Sequence, residues 1–131
     1  MARRLQGGQA DCGVVFELTQ PGGVWTEKIL YSFTGGNDSA FPRGRLIADK
    51  NGTLYSVTGG GGASAFGTIF QLTPPATAGG SWTETVLHSF SGGSEGRDPE
   101  TGLIFDWTGA LYDTTFSGRT ANPGTVFKLT H

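Results

Sequence analysis

Apolar and polar positions alternate in short runs along this chain. In GTIFQLT (67–73), Phe70 and Leu72 fall on one side and Ile69, Gln71 and Thr73 on the other; in WTETVLHSF (82–90), Trp82, Val86, His88 and Phe90 oppose Thr83, Leu87 and Ser89. A period of two belongs to β-strands, and apolar residues on both sides predict sheets covered on both faces. RLIADKNGTLYSVT and GLIFDWTGALYDTT each join two β-rich runs through Asp-x-x-Gly. There the Asp bonds its own backbone and the Gly takes a left-handed conformation, which predicts tight hairpins with Asp49 and Asp106 as turn residues. No segment sustains a 3.6-residue period, so helix is expected to be nearly absent.

These runs repeat. Residues 25–67 lie without a gap over 82–124, an offset of 57 positions that brings Trp25 over Trp82, Glu27 over Glu84, Phe33 over Phe90 and Tyr55 over Tyr112. From Gly13 to Gly67 the offset is 54, the difference falling between QPGGVW and PPATAGGSW, where loop length changes at little cost. MARRLQGGQADCG also aligns onto YSVTGGGGASAFG. Residues 1–12 therefore read as a lead-in and 13–131 as the repeat module, with copies at about 13–66 and 67–123 and a partial third at 124–131. Four short antiparallel strands per copy point to an all-β fold of β-propeller blades, about two blades per chain.

Composition narrows the function classes. Charged residues make up 15% of the 131 positions and the formal net charge is -2, which lacks the excess of Lys and Arg that phosphate backbones demand, so nucleic acid is not an expected partner. No apolar run approaches the ~18 residues of a membrane span, and MARRLQGG lacks the apolar stretch of a signal peptide. Cys12 is the single cysteine, which removes an internal disulfide framework and reads as a small packed side chain.

The phrases GTVFKLT, WTETVLHSF and GLIFDWTGALYDTT resemble the Gloeobacter/Verrucomicrobia-type tandem repeat of the choice-of-anchor repeat proteins, over about residues 11–131. That resemblance implies a secreted or surface-displayed bacterial repeat protein without an established reaction; this chain shows no export signal or anchor and few repeats. The run P-x-x-G-L-I-F-D-x-x-G-x-L-Y also looks like the start of a blade in NHL-type propellers. Borrowing that strand order makes RLIAD and LIFD inner strands a, TLYSVT and ALYDTT strands b, GTIFQLT strand c and WTETVLHSF the outer strand d. The chain is then c-d, a complete a-b-c-d, and a-b-c.

On this order the d-to-a connections (GGNDSAFPRG, GGSEGRDPET) and the b-to-c connections (GGGGASAF, FSGRTANP) share one face, opposite the Asp-x-x-Gly turns. These longer, polar loops nominate Asn37, Asp38, Arg43, Glu95, Arg97, Asp98, Glu100 and Arg119 as ligand-binding candidates. Asp38 with Glu95, or Asp98 with Glu100, could be offered as a glycosidase pair, but nothing fixes their separation, and acidic positions repeated in both copies suit structure or multivalent binding better. Asn37 and Asp38 carry hard oxygens without EF-hand or RTX spacing, so no metal is expected. His88 has no nucleophile near it in sequence, Trp25 and Trp82 read as outer-strand packing residues, and TGGGGASAFG lacks the Lys-Ser/Thr ending of a phosphate loop. No catalytic residue and no cofactor is expected.

Known propeller rings have roughly four to eight blades, so two blades' worth of strands leave sheet faces open. The leading reading is a non-enzymatic module that self-assembles head-to-tail into a ring, a trimer or tetramer, and presents a repeated loop face for a ligand such as a glycan or other surface polymer. The alternatives are a polysaccharide hydrolase or lyase with its site at the ring mouth, and a structural fragment of a longer secreted repeat protein.

Overall fold

Each Asp-x-x-Gly run folds into the hairpin that its residues dictate. One Oδ1 of Asp49 accepts the amides of Asn51 (2.8 Å) and Thr53 (3.0 Å), and Asp106 does the same for Thr108 (2.8 Å) and Ala110 (3.1 Å). Gly52 (φ 80°) and Gly109 (φ 89°) take the left-handed position that closes each turn. The remaining carboxylate oxygen of each Asp accepts a tyrosine hydroxyl from the next strand, Tyr55 at 3.2 Å and Tyr112 at 3.0 Å.

The computed structural model describes residues 2–4 (backbone only), 8, 10–117 and 123–131. The fold is all-β, with no α-helix among those residues and a single 3-10 turn at Pro21–Gly23. No helix is long and apolar enough to cross a membrane. The strands are β1 (Ala2–Arg4), β2 (Val14–Thr19), β3 (Thr26–Ser32), β4 (Ser39–Pro42), β5 (Ile47–Ala48), β6 (Leu54–Gly61), β7 (Thr68–Thr73), β8 (Thr83–Ser89), β9 (Arg97–Pro99), β10 (Ile104–Phe105), β11 (Leu111–Ser117) and β12 (Val126–Leu129). All pair antiparallel, in three sheets ordered β1-β2-β3, β5-β6-β7-β8 and β10-β11-β12. The later half of each d-to-a connection contains a strand: β4 lies along β6 beyond β5, and β9 lies along β11 beyond β10.

The copies are alike down to their irregularities. A bulge interrupts β2 against β3 between Val15 and Phe16, and another interrupts β7 against β8 at the matching pair Ile69 and Phe70. Ala2–Arg4 pairs with Phe16, Val15 and Val14, so the segment aligned with YSVT lies where β6 lies beside β7.

Stacking these sheets buries two cores, because every strand of the middle sheet carries apolar residues on both faces. The first joint, between the β2-β3 sheet and the middle sheet, encloses Val15, Leu30, Phe33, Leu54, Phe70 and Leu72. The second, between the middle sheet and the β11-β12 sheet, holds their counterparts Ile69, Leu87, Phe90, Leu111, Phe127 and Leu129. Even the ring contact is repeated, Phe33 meeting Phe70 at 5.1 Å and Phe90 meeting Phe127 at 5.2 Å, both edge to face. Backbone bonds tie the sheets at matching places, from the Phe41 amide to the Cys12 carbonyl (2.7 Å) and from the Asp98 amide to the Phe66 carbonyl (3.1 Å). Phe41 (φ 58°) and Asp98 (φ 54°) are held left-handed to make them. Just before β5 and β10, Arg45 and Gly102, equivalent residues of the two copies, meet in a parallel bridge.

Candidate functional site

The loop candidates are anchored before they could meet a ligand. Asp38 accepts the amide and hydroxyl of Thr34 (2.8 and 2.7 Å), the Ser39 amide (2.8 Å) and, at 3.4 Å, the Tyr31 hydroxyl. At the matching place Glu95 accepts the Ser91 amide and hydroxyl (2.6 and 2.7 Å) and meets the His88 ring at 2.9 Å. Burial opposes ionisation of Glu95, but the bonds from Ser91 and the proximity of His88 outweigh it and hold the carboxyl below its ordinary range. Each acid therefore closes its own Gly-Gly turn.

Other candidates do come together. Arg43 and Glu100 occupy equivalent positions of the two copies and pair with each other across the second joint, both side chains about two-fifths exposed. Arg97 lies 5.6 Å from the Phe66 ring centre and 3.8 Å from Asp98, which anchors the loop hairpin rather than leaving a free cation. Asn37 is exposed at the turn tip. Arg119 lies outside the described residues. Among those described, no group of three or more His, Cys, Asp or Glu could hold a metal ion.

Behind the first of these turns lies a carboxyl that loop reasoning passes over. Glu84, on β8, accepts the Ser39 hydroxyl at 2.7 Å, and that hydroxyl continues to Thr68 and Thr58 through two further contacts of 2.7 Å. Burial raises the Glu84 pKa to about 7; the Ser39 bond works against the rise and the adjacent Asp38 adds to it. The same surroundings push Tyr31 up to about 12, through its burial first and then the charges of Asp38 and Glu84. The available signal was the repeated Trp-Thr-Glu opening of the outer strand: an acid inside an apolar run needs polar company.

The opposite, turn-bearing face holds a cleft of about 400 Å³ lined by Lys50, Tyr55, Phe105, Trp107 and His131, with Asp49 and Asp106 at its rim. Trp107 is 95% exposed. Tyr55 contacts Phe105 (5.2 Å) and His131 (5.4 Å) through its ring, giving an aromatic floor. Hydrogen bonds, first from the Thr108 hydroxyl, lower the Asp106 pKa to about 2. This face can offer ring stacking beside an ammonium and two carboxylates, chemistry suited to a sugar.

No curated protein and no solved structure matches the chain. The family described as the Gloeobacter/Verrucomicrobia repeat matches residues 3–131, the span that carries both sheet joints and both anchored loops. The chain belongs to that repeat family.

Proposed function

We propose that this chain is a non-enzymatic β-propeller repeat module that joins head-to-tail with further copies and presents a repeated face to a ligand, a glycan being the class proposed. The observation that carries the reading is the inequality between the inner and outer faces of equivalent sheets. Residues that the middle sheet buries have exposed counterparts at the two ends: Leu72 corresponds to Leu18 (48% exposed) on the leading sheet, and Ile69 corresponds to Val126 (79% exposed) on the trailing one. Trp25 (65%) and Ile29 (47%) extend the leading patch; Ile104 (64%) extends the trailing one. The two patches are the two halves of the joint already built twice within the chain, so one end complements the other and not itself. Such an interface is heterologous and makes a closed ring when the rotation per copy divides the circle. The parallel meeting of Arg45 and Gly102 supports rotation of successive sheets about an inner axis.

Light scattering coupled to size exclusion tests the reading. The expected mass is three or four times 13.7 kDa; a monomer throughout the micromolar range overturns head-to-tail joining. A glycan array probed with the labelled assembly is expected to show binding that a monomeric variant loses, through the loss of avidity.

A further inference from the structure

The second position of an Asp-x-x-Gly turn takes no part in holding the turn. Asp49 and Asp106 bond backbone amides further on, and the glycines close the loop, so the second position carries Lys50 in one copy and Trp107 in the next. Trp107 belongs to neither core, makes no ring contact among the described residues and is almost wholly exposed. The fold does not require an indole there.

What sets Trp107 apart from a stray surface residue is its surroundings. Asp49 and Lys50 from one turn, and residues 106–109 from the equivalent turn of the next sheet, line the same cleft of about 400 Å³. Tyr55 and Phe105, edge to face at 5.2 Å, join the two sheets within that lining. The volume falls in the range of roughly 300–1,000 Å³ usual for small-molecule sites. Lys50 makes no ion pair among the described residues, which leaves its ammonium protons to donate. Oδ2 of Asp49 and Oδ2 of Asp106 each accept one tyrosine hydroxyl, at 3.2 and 3.0 Å, and each keeps a lone pair for a further donor.

An apolar ring edged by donors and acceptors matches a pyranose, whose C–H faces are apolar and whose hydroxyls both donate and accept. An anionic ligand is matched less well, because the carboxylates of the lining outnumber its ammonium. The d-to-a loops offer fewer open groups: Asp38 and Glu95 are taken up by their own turns, and Arg43 is paired with Glu100.

Resting on the glycan reading above, we propose that the ligand is a neutral pyranose seated in this cleft, its apolar face on the Trp107 indole and its hydroxyls shared between Lys50 and the two turn aspartates. All of these residues come from one chain, so assembly multiplies the seat without completing it.

Titration of the full chain with neutral tetrasaccharides of glucose, mannose, xylose or galactose tests the proposal, followed through the indole N–H signals and the amides of residues 49–52 and 106–109. The indole signal that Trp107→Phe removes is expected to move with at least one of these sugars and to stay in place with tetragalacturonate. Trp107→Lys gives this turn the residue its counterpart already carries; it is expected to weaken binding roughly tenfold at an unchanged thermal midpoint, while Trp107→Phe keeps most of the affinity. If a neutral sugar binds Trp107→Lys as well as the unaltered chain, the seat lies elsewhere and this inference falls while the glycan reading stands; loss of that binding in Asn37→Ala then puts the sugar on the opposite face. Movement with tetragalacturonate alone overturns the neutral class. If no neutral sugar moves the Trp107 signal, the inference also falls; a glycan array that still shows binding leaves the glycan reading standing, and a blank array removes both.

Discussion

The two sheet joints are built from the same phrases, yet they differ in closure. The first has the outer strand β8 in its following sheet, a half-buried carboxyl at its edge and two fully covered residues, Phe70 and Leu72. The second has no strand beside β12 other than β11 among the described residues, and Phe127 and Leu129 stay partly open. The difference teaches that the repeat unit of packing is the joint between sheets rather than the sheet. The apolar side chains of a strand depend both on the sheet stacked against them and on the strand beside them in their own sheet, as Phe70 does on Val86 of β8.

The sharpest way to break this comparison is to cut the same residue from both joints. Phe70→Ala is expected to cost about 3–5 kcal/mol, the range for a large side chain removed from a closed core. Phe127→Ala in dilute protein is expected to cost roughly 1–2 kcal/mol, because water already reaches its ring. Equal losses in urea denaturation would mean that the joints are equally closed.

A smaller effect separates the joints by pH. Glu84 has its folded pKa raised from 4.5 to about 7, so the folded chain binds more protons than the unfolded chain between those values. Its contribution is then fully present below pH 4.5 and is lost as pH rises through about 7. With discounting for its partial exposure, the loss is about 1–2 kcal/mol. Glu84→Gln is expected to flatten that slope and to raise the thermal midpoint at pH 8. A slope that survives the substitution would assign the titration elsewhere.

The smallest expected effect belongs to the pair that bridges the copies. Arg43 and Glu100 are both substantially exposed, so a double-mutant cycle with alanine at each is expected to give a coupling of roughly 0.2–1 kcal/mol that shrinks in high salt. A coupling of several kcal/mol would make this contact a determinant of the second joint rather than an ornament on it.

Hairpin turns and two-faced burial were legible in the sequence, and the order of the strands came from the resemblance to an NHL-type blade. Asp49 and Asp106 could be placed because an Asp-x-x-Gly turn is settled by groups within four residues of each other. The loop strands β4 and β9 were not legible. Their pairing exists because β6 and β11 run on past β5 and β10, and that overshoot is a property of the sheet. Asp38 and Glu95 illustrate the same limit. An acid shortly after Gly-Gly reads as a candidate ligand residue, and only the folded loop brings Thr34 or Ser91 back to occupy it. Glu84 was visible as a repeated acid, but its raised pKa follows from the sheet laid over it.

By itself the sequence determined the four recurring strands of each copy and the turns between the first two, though not β4 or β9, since alternation, Asx turns and repetition are relations among residues close along the chain or matched in kind. Tertiary structure alone decided that Phe70 is buried while Phe127, in the same phrase, is partly open. Burial is set by what lies opposite, and for each of these rings that is an outer strand, present beside one and missing beside the other among the described residues.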